Sequence, residues 1–498
     1  MESLSQKDIL QALDVETEPK SLKAALASPI WNAAMSTEVT ALKRKKTWVL
    51  VPPTSDMTIV HNKWVYRVKY NKDGSVDRHK ARLVAKGFQQ LPGIDFFETY
   101  SPVNKPCTIQ IIFTLAATFG WDIQQVDINN AFLNGDHKED VYMYQPQGFI
   151  DSEYPNHVCK LNKAIYGVRQ APRAWFYKLK SSLLQWGFQN SKSDSSLFYT
   201  RQNGHLLLLL VYVYDILITG ENMTHIQQVI TQLHDQFALK KLGFVNYFLG
   251  FEVNRSTDTI TLTQQKYTRE LLNNTQLIDS KPQTTPMCST TKLSSSVGTP
   301  MQNPTTYRSV IGALQYLTTS RPDIAFPVNK LSQFMQSPTS EHWSACKRNL
   351  RYLSGTLDRG LTVKAAKTLD LQGFTDADWA GSYDDRKSTS GYCIFFGGNL
   401  LTVSNCPILW CDNFGAGSLA SNHVFHARTK HIEVNIHFVR DKVLAQELDV
   451  RYVDSPNQLA DLFTKPLAAS PFLFFKDKLT LSLPQCHLRG GIGDIGGS

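Results

Sequence analysis

Two aspartates stand where a carboxylate could hold a divalent metal ion. Asp215 follows an apolar run, residues 206–214, and precedes a β-branched stretch that ends at Gly220. This pattern predicts a buried strand, a tight turn that carries Asp215, and a returning strand. Asp127 lies near the end of an earlier predicted strand, so the two carboxylates could meet on adjacent strands. An ordinary buried hairpin with one solvated aspartate is the alternative for this stretch.

The elements that would position these aspartates can be read from apolar spacing and from glycine and proline. The predictions are helices at residues 29–42, 107–118, 171–187 and 226–237, strands at residues 48–51 and 121–128, and a hairpin at residues 247–253 and 259–263. Around the aspartates the order is strand, helix, hairpin, helix, strand. This is the order of a split βαβ core with helices on one face of a mainly antiparallel sheet.

A basic region precedes these elements. Residues 43–90 hold twelve lysines and arginines against three acids, within a chain of net charge +9. The same region contains predicted strands at residues 63–70 and 82–85, with a hairpin turn at residues 71–74. A local excess of this size favours a polyanionic partner. A solvated surface is the alternative.

The composition bounds the class of protein. With 498 residues, 42% of them hydrophobic and 19% charged, the chain is predicted to be mostly globular and to form about two to four domains. Its eight cysteines show no CxxC pair and no zinc spacing, which indicates reduced intracellular thiols. No signal peptide opens the chain and the longest apolar run is too short to span a bilayer, so no membrane partner is expected.

Several ordered motifs resemble the reverse transcriptase and RNase H region of a copia-type LTR retrotransposon polyprotein. They are KWVYRVK (63–69), KARLVAKG (80–87), FETYSPV (97–103), VDINNAFL (126–133), YGVRQAPRAW (166–175), YFLG (247–250) and DADWAG (376–381). Each motif is moderately specific, whereas the ordered set is very specific. The resemblance extends over nearly all of residues 17–490, and a plant genomic copy is the expected source.

The resemblance implies a polymerase site with two divalent ions, which such chemistry places about 3.5–4 Å apart. Asp127 would be the first palm carboxylate, and the backbone carbonyl of Ile128 would help to hold the nucleotide-bound metal. Asp215 would be a second metal ligand. Lys240 would be the general acid for the leaving pyrophosphate, although a solvated lysine at a helix end is the alternative.

The resemblance also implies binding sites for the nucleotide and the primer. Lys80 and Arg82 would hold the incoming triphosphate, and Tyr166 and Gly167 would form the turn of the nucleotide pocket. Phe132 would be the steric gate that excludes a ribose 2′-hydroxyl, with a plain core residue as the alternative. The primer grip would consist of Tyr247, Phe248, Leu249 and Gly250.

One departure from the family pattern concerns the polymerase site. Family hairpins read Tyr-x-Asp-Asp, while residues 212–215 read YVYD. Tyr214 therefore replaces the acid that the two metals would share with Asp127. A neutral phenol, whose ordinary pKa is about 10, is a poor Mg²⁺ ligand. We expect very low polymerase activity.

A second departure concerns the RNase H-like block. The matching acids are Asp376, Asp412 and Asp461, but the family's helix with a catalytic Glu is missing between the third and fourth strands. Residues 404–407 pass directly from one predicted strand to the next, whereas a parallel crossover needs about a dozen residues or more. We therefore expect a sheet that cannot be connected in the usual way, poor packing, and no RNase H activity.

The resulting prediction is an α+β fold: a right-hand polymerase of fingers, palm and thumb with a split-βαβ palm, followed by a truncated RNase H-like α/β domain. The predicted divisions are a flexible leader (1–30), a reverse transcriptase domain (31–275), a linker and connection region (276–365), an RNase H-like domain with an internal deletion (366–467) and a flexible tail (468–498).

The predicted function is RNA-directed DNA polymerisation by descent, impaired in this chain. The cofactor would be Mg²⁺ or Mn²⁺, bound with reduced affinity. The partners would be an RNA template, a DNA primer, dNTPs and further element-encoded proteins, and the location would be intracellular, in a cytoplasmic particle or the nucleus. The alternative is a catalytically inactive nucleic-acid-binding remnant of a decayed element, because the chain begins without the protease and integrase portions expected upstream.

Overall fold

The computed structural model describes residues 18–70, 75–136, 139–378, 380–401, 408–412, 441–443, 445 and 448–483. The chain divides into two units. The first unit comprises Met1–Asn104, Val126–Leu217 and Thr224–Leu242, and the second comprises Lys105–Gln125, Ile218–Met223 and Gly243–Ser498. No helix in the described ranges is long and apolar enough to cross a lipid bilayer.

The α-helices are α1 (Leu22–Ala27), α2 (Pro29–Arg44), α3 (Pro106–Phe119), α4 (Ala171–Gln185), α5 (Met223–Phe237), α6 (Gln265–Asn274), α7 (Pro304–Leu317), α8 (Ala325–Ser332), α9 (Ser340–Ser354), α10 (Asp461–Thr464) and α11 (Ala469–Lys478). Proline and glycine stand at the ends of some of these helices. Helix α3 has a proline in its first turn and ends at Gly120, whose φ of 68° is the left-handed conformation that glycine adopts at low cost.

The strands up to Asp215 are β1 (Trp48–Val51), β2 (Ile59–Val60), β3 (Asn62–Tyr70), β4 (Val76–Ala85), β5 (Ile123–Ile128), β6 (Tyr142–Met143), β7 (Val158–Leu161), β8 (Gln189–Asn190), β9 (Leu197–Gln202) and β10 (His205–Tyr212). The later strands are β11 (Asp215–Gly220), β12 (Leu239–Phe244), β13 (Tyr247–Phe248), β14 (Phe251–Arg255), β15 (Thr259–Thr263), β16 (Gly360–Lys364), β17 (Leu371–Ala377), β18 (Ser390–Phe396), β19 (Asn399–Leu401), β20 (Ile408–Cys411), β21 (Asp449–Tyr452) and β22 (Leu481–Ser482).

A six-stranded sheet carries both aspartates of the first site. Its order is β12-β5-β11-β10-β9-β8. The predicted order of strand, helix, hairpin, helix, strand is present as β5, α4, β10–β11, α5 and β12. Strands β5 and β11 are neighbours, which is the arrangement that brings Asp127 and Asp215 together. Strands β9 and β8 extend the sheet beyond β10, so the core is a split βαβ motif with two added strands.

The basic region of the first unit is a long two-stranded hairpin with a helix against it. Strands β3 and β4 pair antiparallel, with Arg67 opposite Lys80 and Val65 opposite Arg82. Alternation turns Ala81 and Leu83 of β4 into the core, while the cations between them lie on the other face. Helix α2 packs on this hairpin, where Trp31 meets the edge of Tyr66 at 5.4 Å between ring centroids.

The predicted leader differs from the structure. Residues 1–17 lie outside the described residues, but residues 22–27 form helix α1, which Ser21 caps with its side chain. Ala25 is fully buried in the same cluster as Trp31 and Tyr66. The polar residues before Ser21 concealed a short apolar helix whose Ala25 is buried.

The predicted linker and tail also differ from the structure. Met287 and Leu293, in the predicted linker and connection region (276–365), are buried in the main hydrophobic cluster of the second unit. Residues 469–478 form helix α11, whose Phe472 and Phe475 are each 3% exposed in that cluster. Residues 484–498 lie outside the described residues. In the first segment a few apolar side chains bind a largely polar stretch to the core, and in the second an apolar run of four residues does so.

The block that begins at Leu371 forms a five-stranded sheet of order β19-β18-β17-β20-β21. Strand β20 pairs in parallel with β17, and β21 pairs in parallel with β20. The expectation that a short connection would prevent this pairing, and would leave the block poorly packed, is therefore wrong for the described strands. Cys393 and Phe395 of β18 are buried together with Leu459 and Leu462. The connecting residues 402–407 lie outside the described residues.

Candidate functional site

The hairpin between β10 and β11 turns through Val213 and Tyr214, so Asp215 begins the returning strand instead of lying in the turn. Val213 has a φ of 54°, which is unusual for a β-branched residue and typical of the first central position of a type II′ turn. The indole Nε1–H of Trp175 donates a hydrogen bond of 2.5 Å to the Val213 carbonyl. Trp175 is 1% exposed, so helix α4 holds this strained turn in place.

The turn lies against the end of the strand that carries Asp127. The backbone N–H of Ile128 donates a hydrogen bond of 2.9 Å to the carbonyl of Tyr214. This bond joins β5 to the turn and brings Asp127, Tyr214 and Asp215 into one electrostatic neighbourhood. The structure therefore brings together the two predicted carboxylates and the tyrosine that interrupts them.

Charges of both signs act on these groups. Burial raises the pKa of Asp127, while Lys80, Lys240 and Arg82 oppose that shift. Burial also raises the pKa of Tyr214, and the charges of Asp215 and Asp127 raise it further. Because the ordinary pKa of a phenol is already about 10, Tyr214 is neutral near pH 7.

The predicted nucleotide residues form one group beside the turn. Arg82 lies over the ring of Tyr166 at 4.7 Å from the centroid, an arrangement that favours a cation–π contact. Phe132 meets the edge of the same ring at 4.9 Å and is only partly buried, packed against the neighbouring core. Both the pocket role and the core role of Phe132 remain compatible with this position. Burial lowers the pKa of Lys80, and Arg82 lowers it further.

Gly167 is required by the turn that presents Tyr166. Its φ is 91°, and a Cβ at this position would lie 2.1 Å from the carbonyl oxygen of Ala85. The N–H of Ala85 donates a hydrogen bond of 2.8 Å to the Tyr166 carbonyl. The turn is thus held directly against β4, the strand of Lys80 and Arg82.

Sequence reasoning missed Glu38 of helix α2. Burial raises the pKa of this carboxyl, while a hydrogen bond to the Leu83 backbone and the charges of Lys80 and Arg82 lower it. Glu38 therefore lies beside the pair of cations predicted to hold a triphosphate. The available signal was its place as the lone acid of a helix that leads into the basic region.

The predicted primer-grip residues lie in the second unit. Tyr247 and Phe248 form β13, and Leu249 and Gly250 form a tight turn with φ of 49° and 81°, as a type I′ hairpin requires. The hydroxyl of Tyr316 donates a hydrogen bond of 2.8 Å to the Leu249 carbonyl. Tyr247 is 54% exposed and Phe248 is 1% exposed, so only the tyrosine of this pair presents a ring to solvent.

The three acids of the later block also meet. Asp376 in β17, Asp412 after β20 and Asp461 at the start of α10 each offer an oxygen within 4.8 Å of the others. They are the one group of at least three potential metal ligands among the described residues. We call these three residues the acidic cluster. Burial raises the pKa of Asp461 to about 6, and the negative charge of Asp376 contributes to the shift.

Polar side chains surround the acidic cluster. The hydroxyl of Thr464 donates a hydrogen bond of 2.5 Å to Asp376 Oδ2. Gln458 Nε2 donates to Asp412 Oδ1 at 3.4 Å, and it also holds the Thr375 carbonyl at 2.9 Å. Lys465, which sequence reasoning did not single out, places its Nζ 2.8 Å from Asp461 Oδ1 and 3.8 Å from Asp376 Oδ2. Its signal was its position four residues after Asp461, at the end of a short helix.

Comparisons with known proteins identify the family of this chain. Residues 45–289 match the family model described as reverse transcriptase (RNA-dependent DNA polymerase). The retrovirus-related Pol polyprotein from transposon RE1 of Arabidopsis thaliana is 44% identical over 510 residues, which cover 94% of this chain and 35% of the relative. The chain thus spans about a third of the length of that curated relative.

A shorter relative is matched over most of its length. The transposon Ty5-1 protein of Saccharomyces cerevisiae is 30% identical over 282 residues, which cover 56% of this chain and 92% of that protein. Among solved structures, a foamy viral protease-reverse transcriptase in complex with double-stranded DNA is 12% identical, with a TM-score of 0.46, and the match covers 85% of this chain and 69% of that chain. The family model and the sequence relatives together show that this chain belongs to the reverse transcriptases of copia-type retrotransposon Pol polyproteins.

Proposed function

We propose that this chain is an RNA-directed DNA polymerase by descent whose activity is strongly impaired by Tyr214. The observation that carries the proposal is the position of the Tyr214 phenol, which shares its surroundings with Asp127 and Asp215. Where the family has an acid, this chain has a neutral, bulky side chain. The right-hand arrangement of fingers, palm and thumb is part of the proposal.

The side chains at this site provide ligands for one divalent ion, whereas the family's reaction uses two. Mg²⁺ is commonly held by one or two carboxylates together with substrate phosphates. Asp127, Asp215 and the Ile128 carbonyl would supply such a set for one ion. The group that would be shared between two ions is missing, because the phenol of Tyr214, with its raised pKa, carries no charge. We infer that Mg²⁺ or Mn²⁺ would bind with reduced affinity and would supply electrophilic activation of the phosphates when bound.

The remaining residues would bind and orient the substrates. Lys80 and Arg82 would neutralise the triphosphate of a dNTP, and the ring of Tyr166 keeps the Arg82 guanidinium in place at 4.7 Å. Phe132 would lie at the sugar, and Lys240 would carry the proton to the leaving pyrophosphate. Tyr247 to Gly250 would contact the primer strand.

Primer extension on an RNA template, with Mg²⁺ or Mn²⁺, tests the proposal. We expect Tyr214→Asp to raise extension by roughly 10⁴-fold, the size of effect that loss of a catalytic group has in other enzymes. Tyr214→Phe is the matched control, because it removes the hydroxyl without adding a carboxylate and should give no gain. Extension by the unaltered chain equal to that of Tyr214→Asp would refute the proposal.

The second candidate is a nucleic-acid-binding remnant without activity. It is favoured by the excess of cations on the β3–β4 hairpin, where Arg67 and Arg78 have side chains 67% and 63% exposed. Binding through such cations should weaken steeply as salt rises, because counterions are released from the phosphates. A filter-binding titration with an RNA/DNA hybrid at rising salt measures this slope. Affinity that is absent, or that does not depend on salt, would exclude this candidate.

We also propose that the later block is a truncated RNase H-like domain without hydrolytic activity. The acidic cluster supplies three carboxylates, whereas the family's reaction uses a fourth from a helix that the sequence does not contain at the expected place. Cleavage of the RNA strand of a labelled hybrid by the purified chain would contradict this proposal. An intracellular location, in a cytoplasmic particle or the nucleus, and binding of further element-encoded proteins complete the proposed function.

A further inference from the structure

The acidic cluster concentrates negative charge in a partly buried place. Three carboxylates lie within 4.8 Å of one another, and the side chains of Asp376 and Asp461 are each 10% exposed. Like charges at such distances repel strongly where water is largely excluded. A cation is therefore needed for all three groups to be ionised together.

Hydrogen bonds from the described neighbours do not meet this need. Thr464 bonds closely to Asp376, but both contacts to Asp412, from Ser455 and Gln458, are 3.4 Å long. Asp461 Oδ1 is buried and accepts no hydrogen bond of good geometry from the described residues. That oxygen has the ammonium of Lys465 2.8 Å away, so Lys465 is the charged group that this oxygen contacts.

Lys465 is placed to act as that cation and is free to leave. Helix α10 ends at Thr464, and Lys465 follows as its cap. Its side chain is 43% exposed, so a change of rotamer would carry the ammonium into solvent without moving the backbone. Burial lowers the pKa of Lys465, but its close contact with Asp461 and the charges of Asp376 and Asp412 outweigh burial and leave the pKa above its ordinary value.

We propose that Lys465 is a tethered internal cation that occupies the acidic cluster and that a divalent metal ion must displace. In the metal-free protein the ammonium stabilises the cluster and the packing of α10. When a divalent ion enters, Lys465 has to swing towards solvent, and the attraction lost in that step weakens metal binding. The proposal does not depend on polymerase activity.

Mn²⁺ binding to the full chain tests the proposal, measured by the electron paramagnetic resonance of free Mn²⁺ after chelator treatment. All variants carry Asp127→Asn, so that the first site does not contribute. We expect Lys465→Met to bind Mn²⁺ about tenfold more tightly, because one positive charge next to the ligand oxygens is removed. Lys465→Gln also removes the charge and should raise the affinity in the same way, which keeps the test valid if the Met variant does not fold.

Two controls separate charge from other effects. Lys465→Arg keeps the charge and should bind Mn²⁺ no more tightly than the parent. Lys478→Met removes a lysine that lies over the Phe474 ring instead, and it should leave the affinity unchanged. Asp412→Asn should abolish the tighter binding in the Lys465→Met variant, which assigns it to the acidic cluster.

Thermal unfolding gives a second readout. Without metal, Lys465→Met should melt below the parent, and saturating Mn²⁺ should raise its midpoint by more than it raises that of the parent. Equal or weaker Mn²⁺ affinity in Lys465→Met and Lys465→Gln would overturn the proposal. So would tighter binding that persists in Asp412→Asn. Refutation of the Lys465 proposal would not change the interpretation of the primer-extension experiment.

Discussion

The first site and the acidic cluster differ in how their charged side chains are arranged. At the first site the frame is complete: Trp175, the Ile128 amide and Gly167 hold the turn and the pocket by short contacts. One side chain, Tyr214, is neutral between two carboxylates. In the acidic cluster three carboxylates meet, and the ammonium of Lys465 lies beside two of them. A site can therefore keep its backbone frame while one side chain lacks a charge, and carboxylates can converge beside a cation of the chain itself.

The largest effect should separate the two sites by activity. In a Tyr214→Asp background, Asp127→Asn should cancel the gain in primer extension, a loss of roughly 10³–10⁴-fold. Asp376→Asn in the same background should leave extension unchanged, because its carboxylate belongs to the acidic cluster. A comparable loss from both substitutions, measured at equal protein folding, would show that the two sites are not independent.

The next effect concerns the frame of the first site. Gly167→Ala should lower the free energy of unfolding by about 3–4 kcal/mol, because it combines a left-handed backbone with a clash against the Ala85 carbonyl. Gly187→Ala is the matched control, since Gly187 has a φ of 86° but nothing within 4 Å of the added Cβ. It should cost only about 1–2 kcal/mol. Urea unfolding of both variants measures the difference. Equal losses of unfolding free energy would show that the backbone at Ala85 can move away from a Cβ at position 167.

A smaller effect should appear in nucleotide binding. Arg82→Ala removes a charge from the predicted triphosphate site and the contact with the Tyr166 ring. We expect about tenfold weaker binding of a fluorescent dATP analogue in the presence of Mn²⁺. Arg78→Ala, on the same strand but 63% exposed at its side chain, should change binding little. If both substitutions weaken binding equally, the effect is one of net charge and not of a built pocket.

The smallest effect concerns pH. The pKa of Asp461 is raised to about 6 in the folded chain, above its unfolded value, so folding favours the protonated form. Its contribution to stability is fully present below the unfolded pKa and is lost as pH rises through about 6. Without metal, the melting midpoint of the parent should therefore fall, relative to Asp461→Asn, between about pH 4 and pH 6. A parallel pH profile for the two proteins would show that this carboxyl does not titrate in that range.

Local sequence patterns predicted the element types well. They fell short where the structure depends on how separate parts of the chain pair or pack. Apolar periodicity located the helices near Trp175 and Ile226 and the strand of Asp127, since a buried face requires it. It did not indicate that Asp215 begins a strand, because the position of a two-residue turn depends on how β10 and β11 pair. It also missed the packing of Met287, since a few buried side chains in a polar stretch leave no period.

The sequence by itself determined the family, through ordered motifs, and the change of chemistry at Tyr214, because a residue's identity decides whether it can carry a charge. Only the tertiary structure decided what surrounds each charge. Folding places Glu38 beside Lys80 and Arg82, which belong to a separate segment. It also places Lys465 beside Asp376 of a distant strand and beside Asp461 at the other end of a helix turn. Electrostatic energy depends on distance and burial, and neither quantity exists until the chain has folded.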